Sequence, residues 1–119
     1  MKIALNILLI ILTTTIYSAN TFGAQIVSAS FDRATDTILV DVVYQGGCKE
    51  HRFEVRLNLC NRAIPKSCSA ELVDHTQGDA CRGLMTETVR IPADTVVGGF
   101  DIEKLFIKGL NDTSALIQF

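Results

Sequence analysis

The sequence predicts a small all-β domain: an antiparallel sandwich or partly open barrel of six to seven strands, stapled by disulfides. Three observations carry that expectation. Apolar and polar residues alternate with a period of two through several segments. Gly, Pro and Asp turn signals recur about every 8–12 residues, the spacing of short antiparallel strands. Four cysteines, Cys48, Cys60, Cys68 and Cys81, fall at the ends of the expected strands.

The elements follow in order. Residues 25–31 alternate, with Val27, Ala29 and Phe31 on one side and Ser28 and Ser30 on the other. After the polar break at 32–36, residues 37–44 form a strand with Ile38, Val40, Val42 and Tyr44 on one face, and Gly46-Gly47 signals a turn. Residues 51–60 are the cleanest strand. Phe53, Val55, Leu57 and Leu59 share one face, and Arg52, Glu54, Arg56 and Asn58 share the other. A helix would scatter those four apolar residues around its circumference. Residues 61–67 contain Pro65 and read as a loop, 69–75 as a strand, and 77–79 as a turn. Residues 84–91 are rich in β-branched side chains and end at Pro92, which has no N–H to give to a ladder. Residues 95–97 are expected as a short strand. Residues 100–109 hold either one helical turn around 101–105 or a strand at 105–108, and 114–119 make the last strand, with Ala115, Ile117 and Phe119 inward.

The N-terminus predicts export. Met1 and Lys2 precede an almost purely aliphatic run over residues 3–16, and small and polar residues follow to Ala24. This is the pattern of a signal peptide over residues 1–23, leaving one domain over 24–119. The alternative is an uncleaved anchor, but a run of about 14 residues is short of the roughly 18–20 that span a bilayer. A periplasmic or secreted protein is therefore expected, with no membrane span after cleavage. The chain carries 11 Lys and Arg against 13 Asp and Glu, a net charge of −2, and removing the leader takes away only Lys2, leaving −3. No basic patch interleaved with aromatics is present, which argues against nucleic acid or an acidic membrane surface as a partner. About 95 residues make one core of marginal size, and disulfides are the usual support in an oxidising compartment.

Four cysteines allow three pairings. Cys48 and Cys60 bracket one strand, about 12 residues at roughly 3.3 Å each, whereas a disulfide needs Cα atoms within about 7 Å. Cys68 and Cys81 bracket the next strand and fail for nearly the same reason. In an up-down meander the turns at 46–50 and 77–83 share one end and the loop 61–67 lies at the other. Cys48–Cys68 with Cys60–Cys81 would join opposite ends. Cys48–Cys81 and Cys60–Cys68 remain.

The same geometry gathers side chains at one end. His51 opens a strand and His75 closes its neighbour, beside the turns that carry Cys48, Asp79 and Cys81. Two readings follow. In one, a disulfide is flanked by histidines bonded to turn backbone. In the other, a divalent metal such as zinc is held by His51, His75 and Asp79, or by a Cys2His2 set. No cofactor is expected under the first. No Gly-x-Ser-x-Gly, His-Glu-x-x-His or phosphate-binding glycine loop occurs, and paired cysteines leave no free thiolate, so no catalytic residue is assigned and no enzyme is expected. Glu50, Glu54, Glu71 and Asp74 read as solvated charges.

Gly46-Gly47-Cys48-Lys49-Glu50-His51 followed by His75-Thr76-Gln77-Gly78-Asp79-Ala80-Cys81 resembles a pattern in small secreted bacterial β-domains, similar to the C-terminal domain of NigD-like proteins. Phe100-Asp101-Ile102-Glu103-Lys104-Leu105 is similar to a segment that follows in such sequences. The resemblance covers roughly residues 40–105. It implies a Cys48–Cys81 disulfide with His51 and His75 nearby, and no activity; Cys60 and Cys68 depart from the pattern.

The expected function is an exported, non-enzymatic binding module that presents Lys49, Glu50 and Gln77 to a protein or envelope partner. The alternatives are a metal-handling protein using His51, His75 and Asp79, and a protease inhibitor presenting Arg62 and Lys66 on the loop 61–67. Mass spectrometry of non-reduced peptides is expected to recover Cys48–Cys81 and Cys60–Cys68 alone. A Cys48–Cys60 linkage would overturn the strand assignment.

Overall fold

Alternating apolar residues generate two sheets that bury their inner faces against each other. The computed structural model describes residues 23–119 except 62, 64, 65, 99 and 100, so the expected leader lies outside the described residues but for Gly23. The strands are β1 (Gln25–Asp32), β2 (Thr37–Gly46), β3 (Phe53–Asn61), β4 (Ser67–Asp74), β5 (Gly83–Pro92), β6 (Lys104–Lys108) and β7 (Ser114–Gln118). One sheet has the order β1-β2-β5 and the other β3-β4-β6-β7. The mostly β sandwich expected from the sequence is the observed architecture.

Its connectivity is not a meander. The chain passes from one sheet to the other between β2 and β3, again between β4 and β5, and a third time between β5 and β6. The first two crossovers lie at one end, which is why Cys48 and Cys81 meet there, with Cα atoms 5.5 Å apart. Cys60 and Cys68 face each other directly across β3 and β4, with Cα atoms 4.0 Å apart. All strand pairs are antiparallel except β4–β6, which is parallel.

From the three-stranded sheet, Ile38, Val40, Val42, Val89 and Ile91 enter the core. They meet Val55, Ala70, Leu72, Leu105, Ile107 and Ile117 from the four-stranded sheet. Two bulges revise the expected facing. The register shifts between Ile26 and Ser28, so Ile26 is buried and Val27 is exposed. It shifts again between Leu57 and Leu59, which turns Leu59 outward while Val55 and Leu57 stay on the inner side. A bulge places two residues opposite one and inverts the phase of everything beyond it.

The expected strand at 95–97 is instead a short helix, α1 (Ala93–Val97). Pro92 precedes it, Asp94 occupies its first turn, and Ala93 and Val96 are buried at the end of the sandwich remote from Cys48 and Cys81. The Ala93 N–H donates to the Asp36 carbonyl in the β1–β2 turn, which anchors that end. Of the two alternatives for residues 100–109, the strand forms, as β6. A 3-10 turn (Leu110–Asp112) leads into β7, and the Leu110 N–H donates to the Ala24 carbonyl, joining the two sheets along one side. No helix among the described residues is long and apolar enough to cross a membrane.

Ile107 is fully buried at the centre of the four-stranded sheet, so Ile107→Ala is expected to cost about 3 kcal/mol in urea unfolding. A loss below about 1 kcal/mol would show that the site is not packed as described.

Candidate functional site

The first two crossovers are locked by one buried histidine. His51 lies just before β3, and its ring is covered by Tyr44 of β2, with centroids 4.4 Å apart, and by Phe53 at 6.1 Å. Its Nδ1 is 2.6 Å from Asp74 Oδ2 and its Nε2 is 2.6 Å from Asp79 Oδ2. A carboxylate only accepts, so both ring nitrogens carry protons and His51 is an imidazolium between two anions. Burial opposes that charge, but the hydrogen bonds His51 donates to Asp79 and Asp74 outweigh it and hold its pKa above the ordinary value.

Asp79 is the hub. Its Oδ2 also accepts the Gly47 N–H, and its Oδ1 accepts those of Cys48 and Cys81, at 3.2, 3.3 and 3.1 Å. The bond to His51, helped by these backbone N–H groups against the cost of burial, brings its carboxyl down to about 2. Asp74 Oδ1 accepts the Thr76 N–H, and the Thr76 hydroxyl accepts the Arg52 N–H while donating to the Glu50 carbonyl. Both crossovers are thereby tied to the histidine as well as to the disulfide.

The glycines have specific tasks here. A Cβ on Gly46 would lie 2.5 Å from Asp79 Oδ2 and 2.8 Å from His51 Nε2, so only glycine lets that strand pass the ion pair. Gly47 (φ +122°) and Gly78 (φ +74°) occupy the left-handed region that glycine tolerates.

His51, Asp79, Cys48 and Cys81 are brought together; His75 is not. Its Nε2 lies 2.6 Å from Glu54 Oε1 on the solvent side of β3, and that bond holds the Glu54 carboxyl below its usual range. Strand phase explains the split. His51 is in register with inward Phe53 and Val55, whereas His75 is in register with Val73 on the outer face. Asp74, expected to be solvated, is instead in phase with inward Ala70 and Leu72, and its side chain is buried. That phase was the available signal for it, as the shared face with Ile38, Val40 and Val42 was for Tyr44. Burial raises the Tyr44 pKa, and its hydroxyl donates to Glu87 Oε1 at 3.1 Å.

The geometry does not gather the three expected metal ligands. Both His51 nitrogens are committed to carboxylates, and His75 is occupied by Glu54. The close group of ligand-bearing side chains among the described residues is Cys48, Asp79 and Cys81, and its two sulfurs are bonded to each other. Lys49, Glu50 and Gln77 are exposed around this end, and Lys49 Nζ donates to the Gln77 carbonyl at 3.0 Å, bridging the two crossovers. In the loop 61–67, Arg62, Ile64 and Pro65 lie outside the described residues. Lys66 is exposed, with its carbonyl accepting the Glu103 and Lys104 N–H groups.

The fold and site define a two-sheet β domain with two disulfides and a buried ion-paired histidine at its crossovers. No protein family matches the chain, and no curated protein or solved structure is significantly similar to it.

His51→Ala leaves two buried carboxylates facing each other and is expected to destabilise the domain by about 2–4 kcal/mol in denaturant unfolding. The pH dependence follows from the shifts. A raised His51 pKa contributes stability that is complete below the unfolded value, about 6.5, and is lost as pH rises through the folded value. The depressed Asp79 pKa contributes stability above its unfolded value of 3.8, lost as pH falls toward about 2. Stability is therefore expected to peak between about pH 4 and 6.5 and to fall on the alkaline side. In His51→Gln the alkaline fall disappears; an identical profile in both proteins would refute the ion-paired state.

Proposed function

We propose that the protein is an exported, non-enzymatic binding module whose recognition surface is the disulfide-closed crossover end, with Lys49, Glu50 and Gln77 presented to a protein or envelope component. The observation that carries this reading is the commitment of both His51 nitrogens to Asp74 and Asp79. A general base needs a free ring nitrogen within reach of a substrate proton, and this histidine keeps none. What the arrangement supplies is rigidity. The ion pair, the disulfide and the Lys49–Gln77 bridge pre-order exposed side chains, which lowers the entropy lost on binding. The two disulfides fit an oxidising compartment outside the cytoplasm.

The relation to NigD-like domains belongs to the same proposal. It is supported by the roles of the shared residues, since Gly46, Gly47, Cys48, His51, Gly78, Asp79 and Cys81 are the residues that build the locked crossovers.

Affinity capture from the envelope fraction of the native source tests the reading. The oxidised protein is expected to retain a specific partner that is lost when Lys49, Glu50 and Gln77 are changed to Ala together, and kept when Arg33 and Asp94 at the opposite end are changed. Capture unaffected by the triple substitution would exclude this end as the recognition surface.

A further inference from the structure

The outer face of the four-stranded sheet carries an apolar row that the recognition reading does not use. Register places Leu59 of β3 beside Ser69 of β4, Ser69 beside Phe106 of β6, and Phe106 beside Leu116 of β7. Three of these four are large hydrophobics left 77%, 49% and 39% exposed, in the order Leu59, Phe106 and Leu116. The β3 bulge makes the row, because an unbroken alternation would have sent Leu59 inward. One row along the strands, Arg56, Glu71, Lys108 and Ser114 align across the same face.

We infer that this face is a self-association surface, occupied by a second copy of the chain packed sheet on sheet about a two-fold axis parallel to the strands and midway between β4 and β6. Such an axis exchanges β4 with β6 and β3 with β7. Glu71 then stands over Lys108 of the second copy, and Lys108 over Glu71 of the second copy. Phe106 stands over Ser69, a large side chain against a small one, and Leu59 over Leu116. The face is thus complementary to itself in charge and in volume, as an isologous interface requires. An axis at right angles to the strands through the Phe106 row would instead set Lys108 over Lys104. Sheets pack at about 30°, which displaces pairs far from the axis, but the Glu71–Lys108 and Ser69–Phe106 pairs flank it.

The size suits a reversible dimer. Four strands about 4.8 Å apart and five residues of about 3.3 Å give a footprint of roughly 300 Å². Even with side chains standing on it, the patch buries less than about 1,200 Å² in all, the range of weak and transient contacts. This inference does not depend on the crossover end being a recognition surface.

Sedimentation velocity of the oxidised protein across a wide concentration range tests it. The wild type is expected to pass from monomer to dimer, and Leu59→Ser with Phe106→Ser to weaken the dimer at least roughly tenfold. Glu71→Lys alone and Lys108→Glu alone each place like charges across the axis and are expected to be monomeric. An equimolar mixture of the two is expected to recover the dimer, because each then meets the opposite charge on the other chain. That mixing readout separates the contact between copies from the Glu71–Lys108 neighbours within one sheet, and it requires both variants to be folded. A wild type that stays monomeric, a dimer that survives in either single variant or in the double Ser variant, or a mixture that stays monomeric would each overturn the proposal. A monomer that co-sediments with phosphatidylglycerol vesicles would assign the face to an anionic membrane instead.

Discussion

A buried imidazolium shared by two carboxylates sets the shape of the crossover end. The apolar layers of the sandwich run out at Tyr44, where two segments must leave one sheet and enter the other with backbone groups that strand pairing cannot satisfy. Asp79 takes three of those N–H groups and Asp74 a fourth. Two carboxylates so close together need a cation between them, and His51 supplies it. Burying charge is costly unless every partner is present, and no buried side-chain nitrogen or oxygen among the described residues lacks one. The disulfide at the same end acts differently. Cys48–Cys81 restricts the unfolded chain, whereas the ion pair selects one native arrangement of the turns.

Much of the fold was legible in the sequence, and the parts that were not have definite physical reasons. Strand existence followed from period-two alternation, and both disulfides from where the strands end. Alternation carries no sign of a bulge, so Val27 and Leu59 were expected on the wrong faces. Residues 95–97 are β-branched and read as a strand, but helix α1 is decided by Pro92 at its entry and by the burial of Ala93 and Val96 at the end of the core. At the site, the clustering of His51 with Asp79 and the cysteines was readable from turn geometry. The exclusion of His75 and the inclusion of Asp74 were readable only from strand phase, which outranks proximity in sequence: His75 adjoins Asp74, and their side chains part to opposite faces.

One row on each outer face shows a contrast, although the three-stranded sheet also exposes Val27 and Leu84. On the three-stranded sheet, Ser28, Asp41 and Thr88 form a cross-strand row in which Asp41 accepts both hydroxyls, and those bonds hold its carboxyl below the usual range. That row is polar and internally satisfied. The corresponding row on the four-stranded sheet holds Leu59, Phe106 and Leu116, with cationic and anionic residues set in alternation beside it. The bulge in β3 accounts for a large part of the contrast, since it moves one leucine from the core to the surface.

The parallel pairing of β4 with β6 has a consequence for the order in which the chain acquires its structure. Parallel neighbours need a long crossover, and here it comprises β5 and α1, which belong to the opposite sheet and the far end. The β3–β4 hairpin, with Cys60 opposite Cys68, is local and can form by itself. Until the β4–β6 pairing closes, the four-stranded sheet lacks β6 and β7, and Leu105, Ile107 and Ile117 are missing from the core. Contacts of such long sequence separation close late and slowly. During that interval one edge of β4 and the inner face of the hairpin remain open to water, which makes this stretch the point in the life of the chain at which it most needs to be kept from other copies of itself.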